Sequence, residues 1–356
     1  MPWEKKWAAM VQDIKQAKHF IHLEYFIVRN DPTGERLVQV LAEQAARGVA
    51  VRLLCDGLGS IRLPKGFFTP LLRQGGQAAH YFPLRLGTLH RLNHRNHRKI
   101  CVIDGNIGYV GGFNIGDEYA GLPEEFSAWR DLHLRIVGEA AANLNACFQQ
   151  DWQLATGKSA RLDGPVAPVQ PATGNTAIQI VSSGPDTPLQ PVRMGMLKMI
   201  HAAQTHVFLQ TPYFIPDHSL IDALRMAALS GVKVRVILPR NADHPLVLPA
   251  GLSFVGELLP AGVEFFFYRA GFLHSKMLTV DGIVSTVGSA NFDLRSFRLN
   301  YEVNAFVYDP GVARRLEEIF ERDLARSAQL TLADYGRRGP WQRMKQSLAR
   351  LAAPLL

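Results

Sequence analysis

The sequence predicts an α/β protein built from one unit used twice. Three observations lead there. A histidine-rich stretch, NHRNHRKICVIDGNIGYVGGFN at residues 93–114, returns 177 positions later as HSKMLTVDGIVSTVGSAN at residues 274–291 (274 − 97 = 177). Upstream, LVQVLAEQAARGVAVRLLCDG is echoed by LIDALRMAALSGVKVRVILPR. The chain has 356 residues and is 47% hydrophobic, which is long enough for two substantial cores and ordinary for a soluble α/β protein.

Each half reads in the same order. A leading strand, IHLEYFIV or HVFLQTPYFI, comes first. A helix follows, with apolar residues at helical spacing: Leu37, Val40, Leu41 and Ala45 in one half, Leu220, Ala223, Leu224 and Ala228 in the other. Each helix stops at a glycine, Gly48 or Gly231, the residue expected just past a helix C-terminus. A valine-rich alternating strand follows, and then the histidine motif. Seven positions of the two motif copies coincide: His97/His274, Lys99/Lys276, Asp104/Asp281, Gly105/Gly282, Val110/Val287, Gly111/Gly288 and Asn114/Asn291. Composition alone would give about one match in a window of that length. The stretch GKSARLDGPVAPVQPATGNTA is rich in Pro, Gly and Ala without a period and reads as a linker. The expected organisation is a first lobe at 1–156, a linker at 157–177, a second lobe at 178–335 and a basic amphipathic segment at 336–356. Two copies of one unit can pack about a pseudo-twofold axis and bring equivalent residues together.

Net charge and cysteine usage bound the function. A formal charge of +8 and a pI near 9.5 point to an anionic partner: nucleic acid, anionic lipid or a phosphorylated substrate. Cys55, Cys101 and Cys147 are scattered singly, so a reducing compartment is expected and no disulfide framework. The opening MPWEKKWAAMVQDIKQAKHF is too charged for a signal peptide, and no run of 18 apolar residues predicts a spanning helix.

The repeated pattern is H-x-K-x4-D. Alternate residues of a strand share a face, so His97 and Lys99, like His274 and Lys276, point the same way. Asp104-Gly105 and Asp281-Gly282 are hairpin-turn signals. The two aspartates are therefore placed to hold the turn or a neighbouring cation, and less obviously to react. The second hairpin strand ends in Gly-Gly-Phe-Asn or Gly-Ser-Ala-Asn. Its glycines would let a ligand approach the backbone, and Asn114, Ser289 and Asn291 would support a phosphate. Two imidazoles, two ammonium groups and two amides together suit a phosphodiester. One histidine attacks phosphorus and the other protonates the leaving oxygen, while the lysines stabilise the charge without a metal. A nucleophilic imidazole needs its other nitrogen held by an acceptor. Asp131 in WRDLHLRIVG and Glu302 in LNYEVNAFVYD each follow a motif and are expected to reach back to the histidine of their own lobe, or else to pair with Arg130 and Arg298. His90, His94 and His97 have a spacing that zinc could use, but the interleaved Arg91, Arg95, Arg98 and Lys99 would repel a dication. Glu24, polar within an apolar strand, either lines the pocket or marks an edge strand.

These residues resemble the phospholipase D superfamily with its doubled HKD motif, and within it the bacterial cardiolipin synthases. The likeness runs through HRKICVIDGNIGYVGGFNIGDEY, LQTPYFIPDHSL, GFLHSKMLTVDG and VGSANFDLRSFRLNYE. It implies two pseudo-symmetric lobes, each a mixed sheet flanked by helices, with the active site at the lobe interface. It implies His97, Lys99, Asp104, His274, Lys276 and Asp281 as catalytic, a covalent phosphohistidine, and no cofactor or metal. The implied reaction joins two phosphatidylglycerols into cardiolipin; a phosphodiesterase acting on phospholipid or nucleic acid is the alternative. Phosphatidylglycerol and an anionic membrane surface are the expected partners, with no nucleic acid. The expected location is peripheral, on the cytoplasmic side of the bacterial inner membrane. Many members carry hydrophobic segments ahead of the catalytic region; none is present here, which leaves the mode of attachment open.

The C-terminal RRGPWQRMKQSLARLAAPLL offers a substitute. Trp341, Met344, Leu348 and Leu351 recur at helical spacing among five basic residues and no acid. Such a helix lies on anionic lipid or docks on the protein's own surface. Phe67 and Phe68 are a second candidate lipid-facing patch.

Overall fold

The computed structural model describes all residues except 84–92, 123–127, 161–173, 242–245 and 354–356. Residues 1–127, 132–175 and 300–303 form one unit, and 128–131, 176–299 and 304–356 form the other.

In the first unit the chain order is α1 (Trp3–Lys15), β1 (Phe20–Tyr25), α2 (Pro32–Ala46), β2 (Ala50–Asp56), α3 (Thr69–Arg73), β3 (Gln77–Tyr81), β4 (Ile100–Ile103) and β5 (Ile107–Gly111). The short β6 (Trp129–Arg130), which belongs to the second unit, intervenes before β7 (His133–Val137) and α4 (Glu139–Thr156). The sheet order is β3-β2-β1-β4-β5-β7. β1, β2 and β3 run parallel, and β4, β5 and β7 pair antiparallel, so the sheet is mixed. Asp31 starts α2 by accepting from Gly34 N at 2.9 Å, with Pro32 at the first helical position, where its missing N–H costs nothing. Leu37, Val40 and Leu41 of α2 pack with Ile21 and Leu23 of β1, Val51 and Leu53 of β2, and Met10 and Ile14 of α1. Each such side chain contributes roughly 1.5–3 kcal/mol on burial.

The second unit runs β8 (Ala177–Ser183), α5 (Pro191–Ala202), β9 (His206–Gln210), β10 (Phe214–Ile215), α6 (His218–Leu229), β11 (Lys233–Pro239), α7 (Val247–Leu258), β12 (Glu264–Tyr268) and β13 (Phe272–Leu273). It continues with β14 (Met277–Val280), β15 (Val284–Gly288), β16 (Phe292–Asp293), α8 (Leu294–Arg298), β17 (Glu302–Tyr308), α9 (Pro310–Leu324), β18 (Ser327–Leu330), α10 (Leu332–Gly336) and α11 (Pro340–Leu351). The main sheet has the order β18-β12-β11-β9-β14-β15-β17-β8. Its inner six strands repeat the first unit's order and directions, with one strand added at each edge. Leu220, Ala223 and Leu224 of α6 are buried against Val207, Leu209, Val234 and Val236. The duplication in the sequence is thus a duplication of topology. Gly48 and Gly231 follow α2 and α6 with the same φ of +88°, the left-handed conformation that ends a helix without a Cβ clash.

Two expectations change here. β1 is central, so Glu24 does not mark an edge. Phe68 is buried in the first unit's core and Phe67 packs against it, so neither forms a lipid-facing patch. Most of the linker expected at 157–177 lies outside the described residues.

Candidate active site

The first motif sits on an extended segment that feeds β4. Backbone bonds tie that segment to residues 300–303: Tyr301 N donates to Arg95 O at 2.8 Å and His97 N to Tyr301 O at 2.9 Å. This register sets Glu302 beside His97, whose Nδ1 lies 2.9 and 3.0 Å from the two carboxylate oxygens. A carboxylate only accepts, so Nδ1 carries a proton, and in the neutral ring the lone pair is then on Nε2. Glu302 is fully buried, where an unpaired charge would cost several kcal/mol; the imidazole and the Asn300 amide, 3.3 Å away, offset that cost. Phe26 meets the His97 ring edge-on at 5.0 Å. Lys99, with no exposed surface, donates to His97 O.

The second motif is built the same way from other residues. β13 pairs with β6, and His274 N donates to Arg130 O at 2.7 Å. Asp131 is thereby placed with Oδ2 at 2.6 Å from His274 Nδ1. Lys276 Nζ lies 3.1 Å from His274 Nε2 and 3.8 Å from Asp131 Oδ2. Trp129 flanks the ring at 5.0 Å. Arg130 pairs with the Asp323 carboxylate at 2.9 and 3.0 Å and reaches only the backbone oxygen of Asp131, at 3.4 Å.

The two pairings reverse the expected one. Asp131 and Glu302 do hold the histidines at Nδ1, but each serves the motif from the other half of the sequence. The reason is strand pairing. Residues 128–131 lie against 272–274 and residues 300–302 against 95–97, so neither carboxylate is carried back toward its own hairpin.

The motif aspartates have a different task. Asp104 and Asp281 adopt left-handed φ values of +52° and +57°, followed by Gly105 and Gly282 at +72° and +64°, the backbone of a type I′ hairpin turn. Asp104 accepts from the backbone N–H of Lys18, His19 and Phe20 at 2.8–2.9 Å. Asp281 accepts from those of Gln204, Thr205 and His206 at 2.8 Å. Burial opposes ionisation of Asp281, but these N–H donors prevail and hold its pKa below the ordinary value. Both carboxylates fasten the turn to the leading strand of their unit.

Asn114 accepts from Ile27 N at 3.2 Å, and Ser289 is fully buried just past β15. Asn291 Oδ1 is buried with no partner among the described residues. Gly111 is required by the neighbouring chain: a Cβ there would stand 2.4 Å from Leu132 O, so a strand and not a ligand makes the close approach. His90 lies outside the described residues. Among the described residues no group of three or more His, Cys, Asp or Glu side chains could hold a metal ion.

Sequence spacing did not reveal the layer beneath His97. Asp56, at the end of β2, accepts from Asn96 N at 2.9 Å and pairs with Arg95 at 3.5 Å. Arg98 pairs with Asp151 and donates through Nε to Glu302 O at 3.1 Å. Asn96 donates to Glu24. Burial, and then the nearby Asp151 charge, push the Glu24 carboxyl well above its ordinary pKa. A polar residue inside an apolar strand was the only available signal, and it marked Glu24 alone.

A carboxylate-held imidazole with a lysine two residues on, made twice on matching sheets, defines a phosphodiester-transfer enzyme of the phospholipase D class. The family model described as "Cardiolipin synthase, PLD-like domain" matches residues 10–152 and 196–324, and the chain belongs to that family. It is 45% identical over 355 residues to a cardiolipin synthase of Listeria monocytogenes serotype 4b, covering 99% of this chain and 73% of the relative. The identity to a cardiolipin synthase of Oceanobacillus iheyensis is 44% over 353 residues, with 99% and 74% covered. Among solved structures, a phosphatidylserine synthase of Haemophilus influenzae matches with a TM-score of 0.74 at 14% identity, covering 99% of this chain and 93% of that one. That likeness establishes the fold.

Proposed function

We infer that this protein joins two phosphatidylglycerols into cardiolipin and releases glycerol. The observation that carries the reading is the pair of imidazoles, each bound at Nδ1 by a buried carboxylate and each followed by a buried lysine. In this reaction Nε2 of His97 attacks the phosphorus of one phosphatidylglycerol and the bond to the glycerol oxygen breaks. His274 gives that oxygen a proton. It then takes the proton of a hydroxyl on a second phosphatidylglycerol, whose oxygen displaces His97 and leaves the diester of cardiolipin. Glu302 and Asp131 stabilise the imidazolium that forms at each stage. Lys99 and Lys276 place positive charge where negative charge develops on the phosphoryl oxygens. The enzyme works peripherally, on the cytoplasmic face of the inner membrane. Among the described residues no helix is long and apolar enough to cross a membrane.

Lipid mass analysis after incubation with phosphatidylglycerol vesicles tests the reading. Cardiolipin and glycerol are expected in equal amounts. Phosphatidic acid as the sole lipid product, with glycerol released, would make the enzyme a hydrolase. Acid-quenched protein should carry labelled phosphorus on His97; label on His274 would exchange the two roles.

A further inference from the structure

The second unit has a cleft of about 670 Å³ that contains none of the motif residues. Its walls come from α7, β12, β18, α10 and α11. Four cations line it, Arg240, Arg269, Arg338 and Lys345, against a single acid, Asp334, which is engaged by Thr331 and Arg337. Arg338 is held by Tyr335 O and Gln346. Arg240, Arg269 and Lys345 have no carboxylate partner among the described residues. Leu248 and Leu252 supply an apolar wall. Cations beside apolar wall in a cleft of this size suit an anionic amphiphile.

A second observation says where such a ligand would come from. α11 packs on the unit through buried Gln346 and Ala349, and borders the cleft with Gln342, Lys345 and Gln346. Trp341, Met344, Leu348 and Leu351 lie roughly opposite, by the 100° advance per residue of a helix. They are 73, 45, 60 and 79% exposed. One face of the helix therefore docks on the protein, and the apolar stripe faces outward. Lys345 sits on the helix between the stripe and the cleft. Four exposed large apolar residues on one short helix beside a cluster of cations fit a leaflet interface better than a polynucleotide, which would not need them.

We propose that the cleft beside α11 is a second phospholipid site. It holds the phosphate of an anionic phospholipid drawn from the leaflet on which the outward face of α11 rests. The site needs no turnover and stands independently of the reaction assigned to the motifs.

The test is co-sedimentation of the full chain with phosphatidylcholine vesicles, with and without phosphatidylglycerol, together with cross-linking by a photoactivatable phosphatidylglycerol. Anionic vesicles should be preferred, and cross-links should map to peptides from α10 and α11. The surface variant R240S/R269S should weaken vesicle binding by roughly tenfold or more and lose those cross-links. L348E should weaken vesicle binding while the thermal melt stays unchanged. Turnover of short-chain phosphatidylglycerol in detergent micelles should survive both variants. The proposal fails if R240S/R269S binds as wild type, if inorganic phosphate at a concentration comparable to the lipid's displaces it from the cleft, if single-stranded oligonucleotide binds in preference to the vesicles, or if micellar turnover falls in parallel with binding.

Discussion

His97 and Glu302 stand 205 residues apart in the chain, yet Nδ1 of one lies 2.9 Å from a carboxylate oxygen of the other. His274 and Asp131, 143 residues apart, repeat the contact in the opposite sense of sequence. Each histidine motif is therefore incomplete within its own half of the sequence.

That exchange makes a prediction. Glu302→Gln keeps the shape but replaces a charged acceptor with an amide. Turnover should fall by up to about 10⁴, the drop seen when the orienting carboxylate of a comparable triad is neutralised. In nitrogen-edited histidine spectra the ring signals of His97 should shift and those of His274 should not. Asp131→Asn should do the reverse. Shifts at the histidine of the same sequence half would overturn the pairing.

Much of this was legible in the sequence because repetition magnifies weak signals. One His-x-Lys would say little, but a second copy in register pointed to a candidate site and to the hairpins and the α/β order, and Gly48 and Gly231 marked the helix ends. The carboxylate partners were named correctly but assigned to the wrong histidines. Proximity in sequence favoured the nearer hairpin, and only the pairing of β6 with β13 and of Asn96 with Tyr301 shows otherwise. Asp56 and Asp151 were invisible because a lone acid at a strand end or in a helix carries no spacing. The roles of Asp104 and Asp281 were half visible: Asp-Gly announces the turn, but not the three N–H groups that each carboxylate receives.

Those N–H groups set the second prediction. Asp104→Ala and Asp281→Ala each leave backbone donors without their acceptor and put alanine at a positive φ. Each should cost about 2–4 kcal/mol of stability, from the lost charge-assisted bonds and the strained turn. Asparagine tolerates that φ and still accepts, so Asp104→Asn should cost less. Urea unfolding measures the difference. Residual turnover in the folded fraction should far exceed that of His97→Ala; equal loss would restore a chemical role to the aspartates.

Acid sensitivity should trace in part to His22. It is buried in β1, stacked on Phe148 at 4.5 Å, with Nδ1 2.7 Å from Asn145 Oδ1 and Nε2 3.0 Å from an Arg52 nitrogen. An arginine donor at Nε2 requires the lone pair, so the ring is neutral. Burial lowers its pKa from 6.5 to about 3. The unfolded chain therefore takes up a proton that the native protein refuses. The contribution is fully present above pH 6.5 and is lost as pH falls toward 3. Each pH unit in that window should remove about 1.4 kcal/mol. His22→Gln should be less stable at pH 7 and should show an unfolding free energy that falls less steeply between pH 6.5 and 5 by about one proton. An unchanged slope would mean that His22 is charged in the folded protein.

Glu24 behaves in the opposite sense. Burial, and then the Asp151 charge, raise its pKa well above 4.5, with Arg98 opposing, so the native carboxyl holds its proton where the unfolded chain has lost it. Its stabilising contribution is full below pH 4.5 and declines as pH rises toward the native pKa. Glutamine mimics the protonated acid and keeps an oxygen for the Asn96 amide, so Glu24→Gln should stay within about 1 kcal/mol of wild type near neutral pH and remove that decline. Glu24→Ala removes the acceptor, leaving the Asn96 donor buried and unpaired beside a cavity, at a cost of about 2–4 kcal/mol. Because Asn96 adjoins His97, the alanine variant should also lose turnover that the glutamine variant keeps. Equal damage from both substitutions would show that the ionised carboxylate, and not its hydrogen-bonding shape, holds the loop ahead of β4.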